Sequence, residues 1–232
     1  MTRSPLAIML RDELIGFARS KVMLVLWLLL PGIAMLAYFL IGSSTQLKNM
    51  AGGESGMTAT DLVGFLLTSL SGPIAALMVA VDIVSERQRK VYELFVIRPM
   101  HRDIVLWAKF IAVFVCVVVA CLLAVAAGIT VDVVQGDPIK GGAMHMIRAL
   151  VNISCVVALA TAVGVFVGSI SRTILVAVLI VLYGGQNLIY VPMLPVYFGV
   201  LPNQFWLLML FTLALAGALM WGSISMFRKS EF

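Results

Sequence analysis

Charge is scarce in this sequence. Only 12% of its 232 residues are charged and 62% are hydrophobic, whereas soluble domains have about 25% charged and about 45–50% apolar residues. A chain with so few charged residues cannot form the polar surface that a soluble protein exposes to water. Its formal net charge is +5, but the basic residues lie between apolar runs rather than along one solvated face, so we predict no nucleic-acid partner.

Histidine, cysteine and nucleotide-binding motifs are also sparse. The two histidines, His101 and His145, fall in predicted loops on opposite sides of a membrane, which excludes an H-E-x-x-H protease and leaves a serine nucleophile without a base. The glycine cluster at 52–56 lacks the lysine of a phosphate-binding loop. We therefore expect no catalytic residue, metal site or ATP site in this chain. Three cysteines lie in apolar segments without metal-ligand spacing, which favours small core residues. They are Cys116, Cys121 and Cys155.

Long apolar runs are what the chain has in abundance. Six runs are each long enough to cross about 30 Å of hydrocarbon. They lie at about 22–41, 61–84, 110–131, 146–170, 173–190 and 205–226. We predict an all-α polytopic membrane protein with six transmembrane helices, in which residues 22–232 form one transmembrane domain. The first run is too long for a signal-peptide core and is interpreted as a retained span.

Residues 1–21 are predicted to form an amphipathic helix that lies on the membrane surface. Four apolar side chains recur there at helical spacing: Leu6, Leu10, Leu14 and Phe17. The charged residues lie mostly off that stripe: Arg11, Asp12, Glu13 and Arg19. This pattern is typical of an interfacial helix.

The distribution of positive charge predicts the orientation. Thirteen of the sixteen lysines and arginines fall on one side of the predicted membrane. They are Arg3, Arg11, Arg19, Lys21, Arg87, Arg89, Lys90, Arg98, Arg102, Lys109, Arg172, Arg228 and Lys229; the other three are Lys48, Lys140 and Arg148. Because cytoplasmic loops retain Lys and Arg, we predict a multi-pass protein of the cell (inner) membrane with both termini in the cytoplasm.

Residues 188–204 are too apolar for an aqueous loop, yet Pro192, Pro195 and Pro202 forbid one continuous helix. We predict a re-entrant hairpin in the outer leaflet before the last span, which requires neighbouring protein to satisfy its backbone. A proline-rich interfacial loop is the alternative.

The predicted cytoplasmic segment 85–109 combines dense charge with apolar residues such as Val91, Leu94 and Phe95. This combination suits a short amphipathic helix docked in the groove of another protein. The alternative is an ion-pair cluster of Glu86, Arg87 and Glu93 that orders the turn.

The same segment resembles the second intracellular connection of the ATP-binding-cassette type-2 exporter permeases. That connection often reads E-R-E-x-G-T-x-E-x-L, followed by a proline, a basic turn and a lysine that opens the third helix. The matching residues are Glu86, Arg87, Glu93, Leu94, Pro99, Arg102 and Lys109. Lys90 and Val91 replace the usual Gly and Thr. The order of amphipathic helix, six spans and broken hairpin also recurs in that family.

The resemblance implies a permease whose coupling helix, near residues 86–99, contacts a cytoplasmic ABC ATPase. ATP and Mg would be bound by that partner. Two copies of the permease, or two related ones, would pair within membrane lipid and move an amphipathic or lipid-like substrate outward. The residues expected to couple to the ATPase are Glu86, Arg87, Glu93, Leu94, Pro99 and Arg102. A membrane anchor or assembly factor is the alternative; an ion-coupled carrier would normally show inverted repeats.

Polar residues within spans are costly and mark candidate pathways. Four are expected to line one: Arg148, Asn152, Gln186 and Asn187. Asp82 is instead expected to pair with Arg87 or Lys109.

Small residues recur at four-residue spacing in three spans, and such stripes allow close helix packing. In the third span they run from Ala112 to Gly128, in the fourth from Ala160 to Gly168, and in the sixth from Ala214 to Gly222.

Overall fold

The computed structural model describes residues 5–19, 21–43, 59–88, 102–135, 142–185, 187 and 205–229, and within these ranges it contains helices and no strand. The helices are α1 (Pro5–Arg19), α2 (Val22–Ser43), α3 (Ala59–Gln88), α4 (Arg102–Gln135), α5 (Gly142–Ile170), α6 (Ile174–Ile180) and α7 (Phe205–Lys229); a π-helical turn, Val181–Gly185, extends α6. The predicted all-α class is thus observed over the described part of the chain.

Five of these helices are long and apolar enough to cross a membrane: α2, α3, α4, α5 and α7. They coincide with five of the six predicted spans. The other predicted span, 173–190, is described only through α6 and its π-helical turn. These two elements together are too short to cross a membrane. The rest of that run and the predicted hairpin at 188–204 lie outside the described residues, so six spans and a re-entrant hairpin stay predictions.

Helix α1 has the amphipathic face that the sequence indicates. The predicted stripe of Leu6, Leu10, Leu14 and Phe17 is half-buried, whereas Arg11, Asp12 and Arg19 are exposed. Glu13 differs from the expectation, because it lies on the half-buried side of the helix.

The described helices divide into two compact units. One contains α1 through Phe17, α3 from Gly72 onward, α4 through Val115, α5 from Cys155 onward, α6 and α7. The other contains α2, α3 through Ser71, α4 from Cys116 onward and α5 through Ser154.

In the first unit, α3, α5 and α6 pack through small side chains. The buried cluster consists of Ala76, Ala80, Val84, Ala160, Val163, Val167, Ala177 and Val181. A Cβ added at Gly164 would lie 2.7 Å from the Cα of Ala76, and one at Gly168 would lie 3.2 Å from the Cα of Ala80. The small-residue stripe of the predicted fourth span therefore serves contact within the chain, since it brings α5 against the backbone of α3.

In the second unit, α4 packs against α2 and α3. The indole Nε1 of Trp27 donates to the carbonyl of Cys116 at 3.2 Å, and a Cβ at Gly128 would lie 3.3 Å from the Cα of Thr60. All three cysteines of the chain are buried and unpaired, in agreement with the interpretation of Cys116 and its counterparts as small core residues.

A polar contact joins α3 and α4 in this second unit. The carboxylate of Asp132 is buried and accepts hydrogen bonds from the backbone N–H of Thr60, at 3.0 Å, and from its hydroxyl. Thr60 lies in the first turn of α3, where backbone N–H groups have no partner within the helix and the helix dipole favours an anion. The contact thus caps α3 with a side chain of α4.

We expect Thr60→Val to destabilise the protein by about 1–3 kcal/mol, because it removes a donor to a buried carboxylate. The matched control is Thr68→Val, since the Thr68 hydroxyl donates to the Gly64 carbonyl of its own helix. That substitution should cost less than about 0.5 kcal/mol. Thermal unfolding in detergent measures both. Equal effects of the two substitutions would show that the capping contact contributes nothing.

Candidate functional site

The last two turns of α3 carry acidic residues that face α4. Asp82 and Glu86 are four residues apart, so they share one face of the helix. Both contact Lys109: its Nζ lies 2.7 Å from Oε1 of Glu86 and also donates to Oδ2 of Asp82. The Lys109 side chain is fully buried. This pair of contacts fastens the Gln88 end of α3 to the beginning of α4.

Helix α1 supplies the third carboxylate. Oε1 of Glu13 lies 3.1 Å from Nζ of Lys109, so one ammonium binds α1, α3 and α4 together. We call Lys109 with Glu13, Asp82 and Glu86 the Lys109 cluster. Burial raises the pKa of the Glu13 carboxyl, and the neighbouring Lys109 ammonium offsets part of this effect.

The stoichiometry of the cluster explains how a lysine can be buried here. An ammonium has three N–H donors and no acceptor, and each of the three carboxylates accepts from it. The carboxylate oxygens lie within 4.8 Å of one another, a spacing that would also suit a metal ion. Because Nζ of Lys109 contacts all three, the ammonium already occupies that position.

Arg87 fixes the same end of α3 to α5. Its Nη2 donates to the carbonyl of Ser169 at 2.9 Å and its Nη1 to the carbonyl of Ser171 at 3.1 Å. Helix α5 ends at Ile170, and the last carbonyls of a helix lack partners within it. The guanidinium satisfies one of them, on Ser169, together with the carbonyl of Ser171 just beyond the helix, and it complements the negative end of the helix dipole.

The final turn of α3 is therefore bonded to α1, α4 and α5, immediately before residues 89–101 connect α3 to α4. Such an arrangement can pass a displacement of that connection to several helices through direct contacts.

A known protein family matches most of this sequence. The sequence model described as "ABC-2 family transporter protein" matches residues 7–203, which include the Lys109 cluster, Arg87 and most of the described helices. This chain belongs to the ABC-2 family. No curated protein matches its sequence.

Membership in the ABC-2 family confirms the resemblance noted from the segment around Glu86. The chain is accordingly a multi-pass membrane protein and the permease subunit of an ABC transporter. Permeases of this family typically pair with a cytoplasmic ABC ATPase and do not hydrolyse ATP themselves.

The coupling residues predicted for this ABC-2 permease fall partly within the described chain. Glu86 and Arg87 lie in the last turn of α3, and Arg102 is the first residue of α4. The others, Glu93, Leu94 and Pro99, lie outside the described residues. Asp82 pairs with Lys109, one of its two expected partners.

The predicted pathway residues are described in part. On α5, Asn152 is half-buried and Arg148 is exposed. Asn187 is exposed, and its side-chain Nδ2 donates to the carbonyl of Tyr183 at 3.0 Å. Gln186 lies outside the described residues. A lining role for these four stays a prediction.

Sequence reasoning missed Glu13. It follows Leu10 by three residues and precedes Phe17 by four, so helical spacing alone places its carboxylate on the apolar stripe of α1. An acid on an apolar face indicates a buried cationic partner, and that signal was present in the sequence.

Proposed function

We propose that this permease is the transmembrane subunit of an ABC exporter in the cell (inner) membrane, with both termini in the cytoplasm. A separate ATPase, which binds ATP and Mg, docks on residues 85–109, which we call the coupling segment. Its conformational cycle drives an amphipathic or lipid-like substrate outward.

The observation that carries the proposal is the bonding at the final turn of α3. The Lys109 cluster joins this turn to α1 and α4, and Arg87 joins it to α5. Residues 89–101 follow this turn directly in the sequence. An ATPase that displaces this segment would therefore act on four helices at once, as a mechanical input to a membrane body requires.

Two further observations support the proposed assembly in the membrane. Helix α2 has large apolar side chains that are exposed, among them Leu28 and Phe39, which suit contact with lipid or with another apolar helix. The stripe of α7 is exposed at Ala214 and Ala218, so it remains available to a second copy of the permease.

The ATPase interface is tested by replacing Glu93 and Leu94 together with Ala. We expect this double variant to lose co-purification with the nucleotide-binding subunit, because it removes an acidic and an apolar contact from the coupling segment. The matched control replaces Asp137 and Ile139, on the predicted outer side, with Ala and should leave association intact. Retained association in the first variant would contradict this interface.

Transport itself is tested in proteoliposomes that contain the permease and its ATPase. We expect ATP-dependent outward movement of an NBD-labelled phosphatidylethanolamine, reported by dithionite quenching. A variant of the ATPase that cannot hydrolyse ATP is the control. Absence of ATP-dependent movement would favour a membrane anchor over a lipid exporter.

A further inference from the structure

Helix α1 contains a feature that a simple surface anchor would avoid. Its half-buried face consists of apolar residues such as Leu10 and Leu14, yet it also includes Glu13. An unpaired carboxylate on the apolar face of an interfacial helix would face hydrocarbon, which is energetically unfavourable. The side chain of Glu13 is only 19% exposed, and its ion pair with Lys109 is what compensates this burial.

Lys109 has one donor for each carboxylate of its cluster. Two of these carboxylates, on Asp82 and Glu86, belong to α3, and only Glu13 belongs to α1. Loss of the Glu13 carboxylate would leave the ammonium with two partners, so α3 and α4 would stay joined. The ion pair that joins α1 to the other two helices can therefore be removed without removing the contacts between α3 and α4.

We propose that Lys109 is a positioning residue that docks α1 onto the ends of α3 and α4 through Glu13, so that α1 follows these helices when the coupling segment moves. Helix α1 is then a moving component attached by a charge rather than a passive membrane anchor. The docking stands on the contacts of this chain alone, whereas the movement rests on the proposed function.

The first arm of the experiment measures docking in the full-length permease alone, in nanodiscs. A cysteine introduced at Leu10, on the half-buried face of α1, is labelled with a charged maleimide; the three native cysteines are buried, and the parent protein gives the background rate. We expect Glu13→Gln to raise the labelling rate about tenfold, because a neutral amide binds the ammonium far less strongly. Asp12→Asn is the matched control, since Asp12 is exposed on the same helix, and it should leave the rate unchanged.

Reciprocal exchange separates positioning from general stability. Glu13→Lys combined with Lys109→Glu keeps one ammonium among three carboxylates and should restore slow labelling at position 10, whereas Glu13→Lys alone should not. Equal labelling of Glu13→Gln and the parent, or no difference between the exchange and the single variant, would overturn the docking role.

The second arm measures movement in the complex with the partner ATPase, trapped with ATP, Mg and vanadate. We expect trapping to change the labelling rate at position 10 in the parent by at least about threefold and to have no effect in Glu13→Gln. An equal response of both proteins would overturn the link through Lys109. If trapping does not change labelling of the parent while the first arm succeeds, the coupled movement is refuted and the docking stands. Failure of the proposed function is detected by other measurements, namely association with the ATPase and transport in proteoliposomes.

Discussion

Replacing Lys109 with Met is expected to lower the midpoint of thermal unfolding by about 6–12 °C, which corresponds to about 3 kcal/mol in a chain of this size. The substitution removes a cation that contacts three carboxylates, whose oxygens lie within 4.8 Å of one another. Breaking a buried ion pair typically costs about 3–5 kcal/mol. The lower value applies because Asp82, Glu86 and Glu13 are each partly exposed and solvent screens their repulsion.

Two companion variants identify the cause of this loss. Arg11→Met removes an exposed cation from α1 and should change the midpoint by no more than about 2 °C. Adding Asp82→Asn and Glu86→Gln to Lys109→Met should recover at least half of the loss, because the remaining carboxylate has no like charge beside it. A triple variant as unstable as Lys109→Met would indicate that packing of the lysine stem, rather than charge, provides the stability. Fluorescence-detected size exclusion and thermal unfolding in detergent provide the measurements.

Hydrophobic patterning predicts most of the fold, because the hydrocarbon core requires long apolar helices regardless of tertiary detail. Five predicted spans coincide with helices, and the start of α2 at Val22 and of α7 at Phe205 agrees with the prediction. The starts of α4 and α5 differ more. Helix α4 begins at Arg102, eight residues before the predicted span at Phe110, because the apolar residues 104–108 continue the helix on the other side of Lys109.

The site was less predictable, since its contacts join residues far apart in the sequence. The acidic pair at the end of α3 and Lys109 could be associated because they lie on consecutive helices. Glu13 could not be assigned a partner from its position alone: periodicity places it on the apolar face of α1, but several basic residues of the same predicted side were available. Only the packing of α1 against α3 and α4 selects Lys109.

The packing between α3 and α5 also depends on long-range geometry, although the residues that α5 contributes were predicted. Small-residue spacing identified Gly164 and Gly168 as packing positions, but the stripe of α7 has the same spacing and is exposed at Ala214 and Ala218. Spacing therefore shows where a helix can be approached closely, whereas the structure shows which stripe is used. Because Arg87 fixes the end of the same two helices, their separation also determines the geometry of the candidate site.

Gly164→Ala is accordingly expected to destabilise the protein by about 2 kcal/mol, which lowers the unfolding midpoint by about 4–8 °C. The added Cβ would lie 2.7 Å from the Cα of Ala76 and 2.8 Å from Cγ1 of Val79, and it would also overlap the carbonyl oxygen of Ala76. Since two of these atoms belong to the backbone, α3 and α5 must separate to accommodate the methyl group. Thermal unfolding of the purified permease in detergent measures the effect.

A graded series of the same substitution tests this explanation. Gly168→Ala should have an intermediate effect, because its Cβ would lie 3.2 Å from Ala80 and Ile83. Gly217→Ala is the matched control: its Cβ would meet no atom within 4 Å in the described part of the chain, and alanine favours a helix over glycine by about 1 kcal/mol. Stability should therefore decrease in the order Gly217, Gly168, Gly164. If all three alanine variants unfold alike, close approach of α3 and α5 does not limit stability, and separation of these helices would be an accessible motion of the permease rather than a costly one.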